Sequence, residues 1–208
     1  MSSAHRKWAS IILLAMVCLS APAQCQDGSE WDRARSALIA SAPGTITPAI
    51  ARWRNLTASE GYSFAEYAGF VLAYPDFPDT EKLRKFAEKT LDNTPQDPTR
   101  VTAFFDRFAP LTNPARAQYA LALAALSRGE ASDMARAAWR GGTMSDAAEA
   151  ALSARYGGSL TSTDHDARMD ALLWDGNATQ AARMGERISA AARPAAMARL
   201  ALLQNGDA

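Results

Sequence analysis

The feature that most constrains this chain is its helix punctuation, which recurs so often that little besides short helices fits between the marks. Thr47-Pro48, Asp97-Pro98 and Asn113-Pro114 each read as an N-cap followed by proline at the first helical position. Proline suits that place because its missing N–H would be unpaired there anyway and its φ is already helical. Arg193-Pro194 is a weaker copy, and Ser63-Phe64-Ala65-Glu66 reads as a capping box. Gly129, Gly141-Gly142, Gly157-Gly158, Gly176 and Gly206 follow the periodic segments as stops.

Between these marks the apolar spacing is helical. Phe64, Tyr67, Val71 and Tyr74 recur every three to four residues, as do Leu83, Phe86 and Leu91 with slight slippage. Tyr119, Leu123 and Leu126 continue the pattern, followed by Met169, Leu172 and Leu173. No run alternates with period two for long enough to make a strand. The spacing predicts about ten helices of roughly ten to fourteen residues, joined by turns short enough to force antiparallel packing. The residues are 48% hydrophobic, but many are alanine, which forms helices well and fills a core poorly. The expected fold class is therefore all-α, with antiparallel hairpins stacked as a right-handed superhelix or solenoid of tetratricopeptide type.

A faint internal repeat agrees with that expectation. Leu126-Ser-Arg-Gly129-Glu-Ala131 aligns with Leu173-Trp-Asp-Gly176-Asn-Ala178, and a third copy starts at Leu203-Gln-Asn-Gly206. The intervals between copies are unequal, so the repeat is a shared way of turning between helices, not a strict tandem period. The third copy is cut off at Ala208, and the last helix carries Met197, Leu200 and Leu203 with no capping helix after it. Those three side chains are expected to face water, and the segment is expected to be truncated at its C-terminus.

Residues 1–23 read as a signal peptide. His5-Arg6-Lys7 is a basic n-region, Trp8 to Leu19 is apolar apart from Ser10, and Ala21-Pro22-Ala23 offers small residues for cleavage. The apolar run is shorter than the ~20 residues of a spanning helix. Pro22-Ala23-Gln24 matches poorly the residues that precede a lipidated cysteine, which argues against lipidation of Cys25. Cleavage removes Cys18 and leaves Cys25 alone, so residues 24–208 must fold without an internal disulfide. The formal net charge is +0, and no basic stripe offers itself to nucleic acid.

Chemistry is sparse. His165 is the one histidine outside the leader, and it sits where a helix should begin, in a first turn expected to be solvated. Asp166 and Asp170 share a helix face at i, i+4, a common arrangement on solvated helices. Gly141-Gly142-Thr143 lacks the lysine of a phosphate loop. Trp139 and Trp174 lie late in helices beside turns, where they could stack on sugars, although aromatics in an alanine-rich chain are needed mainly to fill the core. No catalytic, cofactor-binding or metal residue is assigned, and no cofactor is expected.

Two stretches carry a family likeness. Tyr62-Ser-Phe-Ala-Glu-Tyr67, Tyr74-Pro-Asp-Phe-Pro78 and Leu83-Arg84…Ala87-Glu88 form the first. Ala135-Arg-Ala-Ala-Trp-Arg140, Tyr156-Gly157, Leu160-Thr161 and Asp164-His165…Leu172-Leu173-Trp174 form the second. From about Trp53 onward the chain resembles the N-terminal helical region of the soluble lytic transglycosylases. That resemblance implies a U-shaped superhelix in the periplasm, with peptidoglycan glycan strands, and cell-wall proteins besides, as partners. It also implies a lysozyme-like domain further along, in which one glutamate acts as acid and then base to give a 1,6-anhydro sugar. The family's Glu-Ser pair and Gly-Leu-Met-Gln stretch are absent, so no catalytic residue carries over and this chain alone is expected to be inactive. The second expectation is a free-standing periplasmic helical-repeat module that binds a protein or a glycan.

The leader yields the first prediction. Protein recovered from the periplasm should begin at Gln24 on N-terminal sequencing. A membrane-bound form that keeps Met1 would contradict it.

Overall fold

The computed structural model describes residues 28–42 and 44–206. The leader, its cleavage site and Cys25 lie outside the described residues. Eleven α-helices make up the regular structure of the described part, with no strand among them. They are α1 (Ser29–Ala40), α2 (Ile46–Ala58), α3 (Phe64–Ala73), α4 (Thr80–Thr90), α5 (Pro98–Phe105) and α6 (Asn113–Ala125). Then follow α7 (Ala131–Arg140), α8 (Asp146–Tyr156), α9 (Ser162–Trp174), α10 (Ala178–Met184) and α11 (Arg193–Gly206). Lengths run from 7 residues in α10 to 14 in α11, a wider spread than periodicity alone suggests.

The caps explain where these helices begin, and they correct two of the expected starts. Asp97 accepts from the Thr99 N–H with Pro98 at the first helical position, as the sequence implies. Ser63 and Glu66 complete a reciprocal capping box. At α6, however, the cap is Thr112, which accepts from the Ala115 N–H, so Asn113 is already inside the helix. At α2 the helix opens after Thr45, which puts Pro48 deeper in the first turn. Both prolines are tolerated because first-turn N–H groups have no partner within the helix.

The internal repeat also shifts register. Both α6 and α9 end in a left-handed residue followed by a backbone bond across the last turn. The left-handed residues are Ser127 (φ 55) and Gly176 (φ 71). Arg128 N–H donates to the Leu123 carbonyl, and Asn177 N–H to Leu172, each at 2.9 Å. Ser127 is thus the structural equivalent of Gly176, and Gly129 lies two residues too late. Serine can hold a left-handed φ at a cost of roughly 1–2 kcal/mol, which hides the turn from a reading keyed to glycine.

Most helix contacts join elements one or two places apart in chain order, and α1 also packs against α5. Odd-numbered helices meet odd (α1–α3, α3–α5, α7–α9, α9–α11), even meet even (α2–α4, α4–α6, α6–α8), and α3–α4, α5–α6, α7–α8 and α9–α10 pair as neighbours. The most extensive contact is between α6 and α7, which bury Ala117, Ala120 and Ala124 of α6 and Ala131, Ala135 and Ala138 of α7. Two apolar cores result, bridged by Met134 and Tyr156. The first is aromatic; Phe64 meets Phe104 edge to face at 5.6 Å. The second is alanine-lined, and its volume comes from Trp139, from Met144, Met169 and Met184, and from aliphatic side chains such as Leu152, Leu172 and Ile188.

At the C-terminal end the expectation is corrected in part. Leu200 is 3% exposed and packs into the second core, because with Ala196 it occupies the α11 face turned to α9. Leu203 is half-buried, while Met197 (42%) and Leu202 (73%) are exposed.

One buried carboxylate fixes the entry to α6. Glu88, 1% exposed, accepts from the Leu111 and Thr112 N–H groups at 2.8 Å each, and nearby Arg84 donates to the Ala109 carbonyl at 2.6 Å. Replacing Glu88 with alanine strands two buried donors and should cost about 2–4 kcal/mol in chemical denaturation. Glu88→Gln keeps one acceptor oxygen and should recover part of that loss.

Candidate functional site

The densest polar cluster lies where α7, α8, α9 and α10 meet. It begins with the first turn of α9, a second capping box. Thr161 accepts from the Asp164 N–H, and the Asp164 carboxylate accepts in return from the Thr161 N–H and Oγ at 2.8 Å each. The expectation of a solvated turn holds for Thr161 to Thr163 and fails at Asp164, which is 1% exposed. Arg140 on α7 donates to Asp164 through Nε at 2.6 Å, tying α7 to α9. Burial opposes ionisation here, but the Thr161 hydrogen bonds and Arg140 outweigh it and hold Asp164 below its ordinary pKa.

His165 is half-buried and accepts at Nδ1 from the Trp139 indole N–H at 3.1 Å. That bond requires a lone pair on Nδ1, so the ring is neutral with its proton on Nε2. Burial first, and then the Arg187 charge, push its pKa down, against the pull of Asp164 and Asp166. Trp139 itself is fully buried, so of the two tryptophans proposed for stacking on sugars only Trp174, 85% exposed, is open to a ligand.

Arg168 sits at the centre, with no exposed surface. Its guanidinium carbon lies 4.5 Å from the Trp139 ring centroid. Nη1 donates to the Gly142 carbonyl at 2.6 Å, and Nη2 reaches Gln180 Oε1 at 3.4 Å and Glu149 at 3.3 Å. Nε finds no acceptor among the described residues. Burial pushes the Arg168 pKa down while Glu149 resists, yet a guanidinium remains charged in such a setting. The Gly142 carbonyl is available because that residue is left-handed (φ 87), and a Cβ there would come 2.9 Å from the Ala171 methyl. Both conformation and space demand glycine, so Gly141-Gly142-Thr143 docks against α9 and does not cradle a phosphate.

In front of Arg168 a groove of about 330 Å³ opens, lined by Asp146, Glu149, Ala150, Ser153, Arg183 and Arg187. Arg183 bridges Asp146 and Glu149 at 2.7 Å each. Asp166 and Asp170 each bind a different element. Asp166 accepts from the Ser189 N–H at 2.8 Å, and Asp170 is paired with Arg199 on α11. The sequence reading missed Arg168, Glu149, Arg183 and Arg187. One signal was present: Asp164, Arg168 and Leu172 fall at i, i+4 and i+8, which sets an arginine on the apolar stripe of α9.

Comparison of the chain with models of known families, with curated proteins and with solved structures returns no match. Among the described residues no helix is long and apolar enough to cross a membrane, and no group of three or more His, Cys, Asp or Glu residues is placed to hold a metal.

The His165–Trp139 bond makes stability depend on pH. The folded pKa lies below the ordinary 6.5, so as pH falls through that value the unfolded chain takes up a proton that the folded chain refuses. Stability from this group is complete above that window and declines below it. Denaturation midpoints at about pH 7.5 and about pH 5 should therefore diverge more for the natural protein than for His165→Gln, which cannot titrate.

Proposed function

We propose that this chain is a periplasmic superhelical scaffold of the kind that forms the N-terminal region of the soluble lytic transglycosylases, presenting a surface to peptidoglycan glycan strands without supplying reacting groups. The observation that carries the reading is a near-constant interval between alternate helices. From α1 to α11 each helix begins 31 to 35 residues after the helix two places before it, as from Phe64 to Pro98 and from Ala131 to Ser162. That interval is one helical hairpin, the unit from which a solenoid is stacked.

The two stretches with the strongest likeness to the family contribute groups that tie alternate helices together. Phe77 packs edge to face on Phe70 at 5.4 Å beside the Trp53–Pro78 bond, while Asp164 and His165 engage Arg140 and Trp139. The electrostatics agree with a scaffold. Among the described residues every carboxylate with a displaced pKa (Glu66, Glu81, Asp97, Glu130 and Asp164) is displaced downward, whereas a glycosidic general acid needs an upward shift. A second reading, a free-standing helical module that binds a protein, draws on exposed Trp174 and Leu202.

Purified protein mixed with isolated cell-wall sacculi distinguishes these readings. The scaffold should co-sediment with sacculi and release no anhydro-muropeptides detectable by mass spectrometry. Release of such products would make the chain an enzyme in its own right. Absence of co-sedimentation would instead favour the protein-binding module.

A further inference from the structure

Two guanidinium groups, of Arg183 and Arg187, line the groove between α8 and the turn after α10, a third, of Arg168, is buried against the same Glu149, and their charges are not balanced. Arg183 is neutralised by Asp146 and Glu149. Arg168, buried behind them, must share that same Glu149. Arg187 forms no ion pair among the described residues, and its guanidinium donates to Ser153 Oγ at 3.3 Å. Three positive charges thus meet two negative ones, and the Asp146 side chain is 79% exposed, where water screens it. Arg187 and Ser153 line the groove of roughly 330 Å³ together with Asp146, Glu149 and Arg183.

We propose that this groove binds a small oxyanion, a carboxylate or phosphate group, held by the Arg187 guanidinium and the Ser153 hydroxyl with Arg183 at its edge. The planar fork of an arginine presents paired N–H donors that match two oxygens of such a group. The Ser153 hydroxyl now accepts from Arg187, and it keeps its own hydrogen to donate to an anion. A cation has no comparable place, because both carboxylates of the groove are already taken up by arginines.

Occupancy is reported by a neighbour. Arg187 lies 5.9 Å from the Trp139 ring, and Trp139 donates to His165. Arg187 and Arg168 disfavour the charged imidazole, while Asp164 and Asp166 favour it. An anion on Arg187 offsets the first of these repulsions, so the His165 pKa rises on binding.

The inference does not rest on the scaffold reading, and its test uses the full chain. Sodium phosphate and, separately, sodium acetate are titrated at an ionic strength held constant with sodium chloride, and the His165 ring resonances are followed by NMR. At least one of the two should saturate with a dissociation constant on the order of 1 mM or tighter and raise the His165 pKa. Saturation by phosphate alone or by acetate alone supports the proposal and identifies the class of oxyanion. Arg187→Gln should weaken binding at least ~10-fold and Arg187→Lys, which keeps the charge but loses the fork, by less. Arg54→Gln, an exposed change on α2, should leave it unaltered. The proposal fails if neither anion saturates beyond the chloride control, if Arg187→Gln binds like the natural protein, or if Arg54→Gln weakens binding as much.

Discussion

Successive helices here meet at their ends, and a helix end carries backbone groups with no partner inside the helix. Short connections bring those ends into the packed interior, where an unpaired N–H or carbonyl is expensive. The chain meets this constraint with long polar side chains sent from one helix to the end of another. Glu88 serves the N–H groups before α6, Asn113 the last carbonyls of α7, and Arg168 the Gly142 carbonyl beyond α7. Each clamp satisfies the backbone and also fixes how far apart two hairpins lie. The remaining packing follows from that spacing.

The two cores fill the fixed spacing differently. In the first, aromatic rings of different helices meet edge to face, as Phe64 of α3 does with Phe104 of α5. In the second, buried alanines adjoin Trp139, three methionines, and leucines of α8, α9 and α11. Trp139 therefore carries several duties at once. It supplies core volume, a ring face for Arg168 and an N–H for His165. A residue so committed cannot also serve as an exposed sugar platform, whereas Trp174 at the end of α9 has no such duties.

Burying Arg168 has a consequence for the surface above it. A charge without water must be compensated by its neighbours. Glu149 does this only in part, because it is also claimed by Arg183. Arg187, at the groove beside this pair, has no ion pair among the described residues.

Much of the fold was legible in the sequence. Proline after a cap residue, the Ser63–Glu66 box and the three-to-four spacing of Phe64, Tyr67 and Val71 act within a few residues, so the helices could be read from local chemistry. Where local signals failed, they failed by small margins for physical reasons. Asn113 is not the cap: its side-chain oxygen accepts from Arg116 and its amide donates to the Ala138 and Thr143 carbonyls, while Thr112 caps α6, and Ser127 took the left-handed turn expected near Gly129. The candidate site was hardly legible at all. Glu149, Arg168, Arg183 and Arg187 look like ordinary surface charges in a sequence that is a fifth charged, and only Arg168's place on an apolar stripe sets it apart. Whether a charge is solvated or buried depends on which helix closes over it. The sequence by itself determined the helices and most of their ends, because those follow from interactions inside one or two turns. Only the tertiary structure decided that Arg168 and Arg183 share Glu149, that Arg183 also takes Asp146 and that Arg187 has no ion pair among the described residues, because that depends on side chains up to 37 residues apart meeting in one place.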